Sequence, residues 1–255
     1  MTSNGTRVAV IAGCRTPFAK ASTVYRDLSA VDLARICVRE LLERSEAEPA
    51  WVDTVIMGQV IPSVRAPNLA REVVLGTAMP PGIPAHTVNR ACASANEAIA
   101  EVASAILQGH AEVGIGGGAE SLSDIPILHS KRMTRILMEA SRARGLGERL
   151  AAFAKVRPAD LTPEVPAIAE PSTGLTMGQS AEKMAKENHI SREEQDQIAY
   201  DSHRHAAAAT EGGKLAAEIC PVLVPPKYEP AVTQDNLIRA FADQRDHTGD
   251  YHRIM

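Results

Sequence analysis

Through the first 118 residues, short apolar runs alternate with amphipathic ones, and nothing else in the chain constrains its fold as much. This is the pattern of a sheet whose strands are joined by helical crossovers, so the sequence predicts an α/β fold. RVAVIAG (7–13) reads as a buried first strand, followed by strands at DTVIMGQV (53–60), HTVN (86–89) and EVGIGG (112–117). Ser29 and Asp32 suit a capping box for a helix to about Arg44, with Val31, Ala34, Val38, Leu41 and Leu42 on one face. Further helices are predicted near 67–78 and 93–108, which gives the order β-α-β-α-β-α-β. In the last of them Ala95, Ala98, Ile99, Val102, Ala105 and Ile106 recur at helical spacing and define its buried face.

The texture changes after Pro126. From 131 to 157 the chain carries eight Lys/Arg against two Glu. One reading is a solvated helical face; the other is a hairpin that docks on a partner subunit or an anionic lipid surface, with Ile136, Leu137, Met138, Leu146, Leu150 and Phe153 supplying apolar contact. A proline-rich connector (158–171) leads to a helix at 178–188, where Glu182 and Lys186 stand at favourable i,i+4 spacing. Ser191 and Glu194 suit a second capping box, opening a polar helix to about 210. Beyond Pro221 periodicity fades, and the terminal DQRDHTGDYHRIM has no apolar face.

Composition excludes several classes. A net charge of −4 gives no general attraction to nucleic acid. No run approaches the roughly 18 apolar residues of a membrane span, and VAVIAG is cut short by CRTPF, too soon for a secretory signal, so the expected compartment is the cytoplasm. Cys14, Cys37, Cys92 and Cys220 are far apart in sequence without metal-ligand spacing, and read as reduced thiols. Neither His203 with His205 nor His247 with His252 has i,i+4 spacing or a ligand cluster beside it, which leaves them as surface histidines. Gly114 to Ala119 fits a dinucleotide fingerprint weakly, because no smooth helix opens from it; the alternative is a glycine-rich strand end packed tightly on another element.

The stretch NRACASANEA (89–98) places Cys92 between a strand end and a helix start. Unsatisfied N–H groups there stabilise a thiolate, and open α/β sheets place ligands at the carboxyl ends of strands. A lone cysteine is also a common core filler, so both readings stand on position alone. Met177, in TMGQSAE, reads without further context as a gap-filling core side chain.

The segments VNRACASANEAIAEVASAILQGHAEVGIGGGAESLSDIP (88–126), RTPFAK (15–20) and GLTMGQSAEKMAKENHISREEQDQIAYDSHRHAAAA (174–209) together resemble the thiolases, in family order, over about residues 7–239. The basic hairpin and PAIAEPSTG are most similar to the β-subunit of fatty-acid oxidation trifunctional complexes. The resemblance implies an incomplete thiolase-like fold: an N-terminal βαβαβαβ mixed-sheet half over 1–122, a mainly helical loop domain inserted over 123–239, and an irregular tail over 240–255. It also implies thiolytic cleavage of a 3-ketoacyl-CoA, in which Cys92 attacks, acetyl-CoA departs and a second CoA removes the acyl group. The Cys92 N–H can help to hold the developing oxyanion. Met177 matches a methionine that covers the thioester pocket in relatives, with Thr176 where a histidine often precedes it.

By the same resemblance the reaction needs no metal or organic cofactor, and CoA is a substrate. The partners implied are acyl-CoA and CoA, a hydratase/dehydrogenase subunit and further copies of the chain, with peripheral membrane contact and no nucleic acid. No Asn-Glu-Ala-Phe, Gly-His-Pro or Cys-x-Gly motif follows, so the base that activates Cys92 in relatives is expected from a second thiolase half, another chain or a missing segment. A half without its closing strand and its other half is expected to expose a sheet edge and apolar surface. The alternative from another class is a non-catalytic interaction subunit that uses the basic hairpin.

Overall fold

The computed structural model of the chain describes residues 7–163 and 169–238. The chain divides into two compact units, one of residues 1–125 and 199–255, the other of residues 126–198. The expected tail over 240–255 lies outside the described residues.

The first unit carries α1 (Ala30–Ser45), β1 (Thr54–Gly58), α2 (Leu69–Leu75), β2 (Ala85–Val88), α3 (Ser94–Leu107) and β3 (Gly114–Gly118). The strands form a parallel sheet in the order β2-β1-β3, in which Ile56 stands opposite His86 on one side and Gly116 on the other. β1 is buried on both faces, and its side chains alternate accordingly. Val55 and Met57 pack with Val31, Ala34 and Val38 of α1 and with Leu69 and Val73 of α2, while Ile56 meets Ala98 and Val102 of α3. Helices therefore cover both faces of the sheet, as helical crossovers between parallel strands require.

Polar side chains fix this frame at its turns. The Ser29 and Asp32 capping box forms as the sequence predicts. Asn68 caps α2 by accepting from the Arg71 N–H, donates to the Ala85 carbonyl and accepts from the Thr87 hydroxyl, which ties α2 to β2. The Asp53 carboxylate accepts the N–H groups of Glu112 and Val113, joining the starts of β1 and β3, and those two donors hold it below its ordinary range.

Three expectations need correction. RVAVIAG (7–13) is not a buried strand: it joins no ladder, and Val10 and Ile11 are 88% and 83% exposed. The run has strand composition, but among the described residues pairing begins only at Arg15, whose N–H donates to the Glu218 carbonyl while its own carbonyl accepts from the Cys220 N–H. Nor is the described sheet mixed: all three strands are parallel, and the one antiparallel contact among the described residues is an isolated bridge between Val222 and Val232. Among the described residues β3 pairs only with β1, and its outer edge has no described partner strand. The buried face expected of α3 is also narrower than its periodicity suggests, since Ala98 and Val102 are buried while Ala95 and Ile99 are exposed.

Arg15 anchors the first unit to its C-terminal stretch. Its guanidinium grips both oxygens of Asp235 at 2.7 and 3.0 Å and reaches Glu218 at 2.7 Å, while the Phe18 N–H donates to Asp235. Burial pushes the Asp235 carboxyl up, but Arg15 and the Phe18 N–H together outweigh it and hold it below its ordinary value. A depressed carboxylate stabilises the fold above its unfolded pKa, about 3.9, and that contribution is lost as pH falls through the lower folded value. Asp235→Asn is therefore expected to cost about 2 to 3 kcal/mol near neutrality. Urea titrations of both proteins at falling pH should show the gap closing below about pH 4; a gap that is constant down to the most acid point would count against the pairing.

The second unit holds α4 (Lys131–Arg142), α5 (Leu146–Phe153), α6 (Met177–Glu187) and the start of α7 (Arg192–Glu211), in agreement with the helices expected there. α4 packs on α5, with Met133, Ile136, Ala140 and Ala152 buried and Met138, Leu146, Leu150 and Phe153 exposed. Arg132 pairs with the largely buried Asp160, and Lys155 with Glu139. The Ser191 and Glu194 box opens α7, each side chain meeting the other's backbone N–H.

Candidate active site

Cys92 lies on the turn between β2 and α3, at the carboxyl end of the sheet, with its thiol exposed. The core-filler reading is thereby set aside. Residues of the turn satisfy one another. Asn89 donates to the Val60 carbonyl at 3.0 Å and accepts the Ala91 N–H at 3.1 Å. The buried Ser94 hydroxyl accepts from the Arg90 N–H at 2.8 Å and donates to the Ala91 carbonyl at 2.7 Å. The Arg90 guanidinium pairs with Glu97 in the first turn of α3. Ala91 takes a left-handed φ of 47°, which turns the chain sharply just before the cysteine. No side chain caps α3. Its amino end, directly after Cys92, thus presents the positive end of a helix dipole to whatever charge develops at the sulfur.

A floor of glycines lets α3 approach this closely. A Cβ on Gly58, at the end of β1, would lie 2.4 Å from the Ser94 carbonyl carbon and 2.5 Å from the Ala95 nitrogen. One on Gly116 would lie 2.9 Å from Ile99 Cα, and one on Gly118 2.8 Å from the Gly58 oxygen. The glycine run Gly114–Gly118 is therefore a packing device, and no helix opens from it, so the dinucleotide fingerprint has no structural counterpart. The Glu120 carboxylate closes the rim by accepting the N–H groups of Val60 and Ile61.

The histidine nearest in sequence does not serve Cys92. His86 bonds Glu101 at 2.9 Å, well down α3 and about 10 Å along the helix from its first residue, Ser94, at ~1.5 Å per residue. Among the described residues, no group of three or more His, Cys, Asp or Glu is placed to hold a metal ion. No described helix is long and apolar enough to cross a membrane.

Met177 is the first residue of α6 in the second unit and is 61% exposed, unlike a core filler. Its neighbour Thr176 caps the helix: its hydroxyl accepts the Gln179 backbone N–H at 3.2 Å while the Gln179 side-chain Oε1 accepts the Thr176 N–H at 2.9 Å. A threonine in this place thus has a structural task of its own. Sequence reasoning did not single out Asn89, Ser94 or Gly58; the Asn and Ser flanking Cys92 were the available signal.

The family model described as thiolase, N-terminal domain, matches residues 8–244. The chain belongs to the thiolase family. Among its relatives, this thiolase chain is 45% identical over 247 residues to the 3-ketoacyl-CoA thiolase of Escherichia fergusonii, which covers 97% of this chain and 56% of that protein. It is 47% identical over 238 residues to the 3-ketoacyl-CoA thiolase of Pseudoalteromonas translucida, covering 93% of this chain and 54% of that one. The crystal structure of the Bacillus anthracis acetyl-CoA acetyltransferase superposes with a TM-score of 0.76 at 26% identity, over 91% of this chain and 55% of the other. The thiolase chain thus spans about half the length of the relatives it matches.

Proposed function

We propose that this chain supplies the nucleophile-bearing half of a 3-ketoacyl-CoA thiolase. The supporting observation is an exposed thiol on a hydrogen-bonded turn at the amino end of α3. Cys92 sulfur attacks the keto carbon of a 3-ketoacyl-CoA, and the Cys92 N–H helps to hold the oxyanion that forms. Collapse breaks the bond between the α and keto carbons, acetyl-CoA leaves as its enolate and takes a proton, and the acyl group stays on Cys92. A second CoA thiolate then displaces it as the shortened acyl-CoA. Met177 borders the thioester, and the base for the thiols comes from a second thiolase half. The domain division belongs to the same reading: a core over 1–122, a helical insertion over 123–239 and a tail over 240–255. So do a substrate set of acyl-CoA and CoA, assembly with further copies or a hydratase/dehydrogenase subunit, and a cytoplasmic site of action.

Intact mass spectrometry after exposure to acetoacetyl-CoA tests the reading directly. The expected product gains one acyl group, which a peptide map places on Cys92. A chain that keeps its helical circular dichroism yet gains no acyl group, alone or mixed with a C-terminal thiolase half, would sink the proposal.

A second reading rests on the exposed Leu146, Leu150 and Phe153 beside Arg142, Arg144 and Arg149: the α4–α5 pair meets an anionic lipid surface. Binding to phosphatidylserine vesicles is expected to weaken with salt and with Arg142→Glu/Arg144→Glu, about 1 kcal/mol per charge removed, while Cys92→Ala leaves it unchanged. Cosedimentation that ignores both salt and charge reversal would eliminate this reading.

A further inference from the structure

The cysteines other than Cys92, scattered along the sequence, converge in the fold. The Cys14 and Cys37 sulfurs are 3.7 Å apart, and each thiol also reaches the other's carbonyl at 3.3 Å. Cys37 comes from α1. Cys14 leads into Arg15, whose backbone pairs with residues 218 to 220, and that pairing brings the buried Cys220 to the neighbourhood of the two thiols. Cys14 and Cys37 are half-exposed, so a small solute can reach them, whereas Cys220 is sealed. The trio is not placed to hold a metal ion.

We infer that Cys14 and Cys37 are a thiol–disulfide site, distinct from the acyl-transfer cysteine, that a low-molecular-weight disulfide such as oxidised glutathione oxidises to a Cys14–Cys37 bond. The sulfurs stand 3.7 Å apart, and a disulfide closes that distance to about 2.05 Å. With Cys220 beside it the Cys14 thiol is pushed up to about 11, so it attacks through a small thiolate fraction that alkaline pH enlarges.

The Cys14 thiol gives its proton to solvent, its thiolate attacks one sulfur of the oxidant, one glutathione leaves as thiolate, and a Cys14–glutathione disulfide forms. Cys37 sulfur then attacks the Cys14 sulfur and expels the second glutathione. The two thiolates leave as thiols with the two protons released, so two protein thiols and one disulfide give one protein disulfide and two glutathione thiols. The product staples the segment before Arg15 to α1 across an intervening span of sequence separation 23.

The test uses the full chain carrying Cys92→Ser, so that the exposed thiol is silent. It is incubated with oxidised glutathione, alkylated after denaturation and digested with trypsin, which cuts at Arg15 and Arg35 and so places Cys14 and Cys37 on different peptides. The expected result is a linked pair of those peptides lighter by two hydrogens, with Cys220 alkylated. Cys37→Ser is expected to stop at one glutathione on Cys14, and Cys37→Ala, which avoids a new hydroxyl, to do the same. Free thiols at both positions, separate stable glutathione adducts, or a bond to Cys220 would each overturn the assignment. The outcome is independent of whether Cys92 transfers acyl groups.

Discussion

Cys92→Ala is expected to abolish the acyl adduct completely while shifting the urea unfolding free energy by less than about 0.5 kcal/mol. Both halves follow from the same geometry. The Cys92 side chain is exposed, and the polar network of its turn runs through Asn89, Arg90, Ala91 and Ser94, none of which loses a partner when the sulfur goes. The chemistry, by contrast, resides in one atom. Cys92→Ser sharpens the test, because a hydroxyl at the same place stays un-ionised near neutrality and without a neighbouring base does not attack. Acylation that persists in the alanine variant would move the reactive group elsewhere.

Gly58→Ala is expected to cost about 3 kcal/mol, the upper part of the range for overpacking. It should also cut the acylation rate by at least about tenfold. Its Cβ would fall within 2.6 Å of three backbone atoms of Ser94 and Ala95, which cannot rotate away as a side-chain tip can. The first turn of α3 must lift off β1, and Cys92 moves with it. Gly117→Ala is the control: on the same sheet, its Cβ would meet only the Met57 sulfur, at an ordinary 3.9 Å. Equal urea midpoints and equal acylation in the two variants would show that the close approach does not matter.

What the sequence revealed was local. The Ser29–Asp32 box, the Asn-Arg-Ala-Cys turn and the Ser191–Glu194 box each depend on residues a few positions apart, and each stands where its spacing places it. What it hid depended on partners far along the chain. RVAVIAG has the composition of a buried strand, but a strand also needs a neighbour, which composition does not specify. The alternation along β1 and the glycines of β3 were readable as strands, yet only the sheet order shows that Gly58 and Gly116 together form the floor under α3. The meeting of Cys14, Cys37 and Cys220 was hidden for the same reason: spacing rules see ligands within a loop, whereas here Arg15 imports Cys220 from the far end of the described chain.

The elements that shape the cysteine turn, from Asp53 through Glu120, are contiguous in sequence, and the hydrogen bonds that fix the turn itself span at most 29 positions. Pairings of short sequence separation close first when a chain collapses. As the polypeptide emerges during synthesis, the Cys92 thiol would thus find its setting before the segment bearing Asp235 and Cys220 exists to join it. The order of birth places chemistry ahead of consolidation: the site is an early nucleus, and the anchoring by Arg15 is a late act.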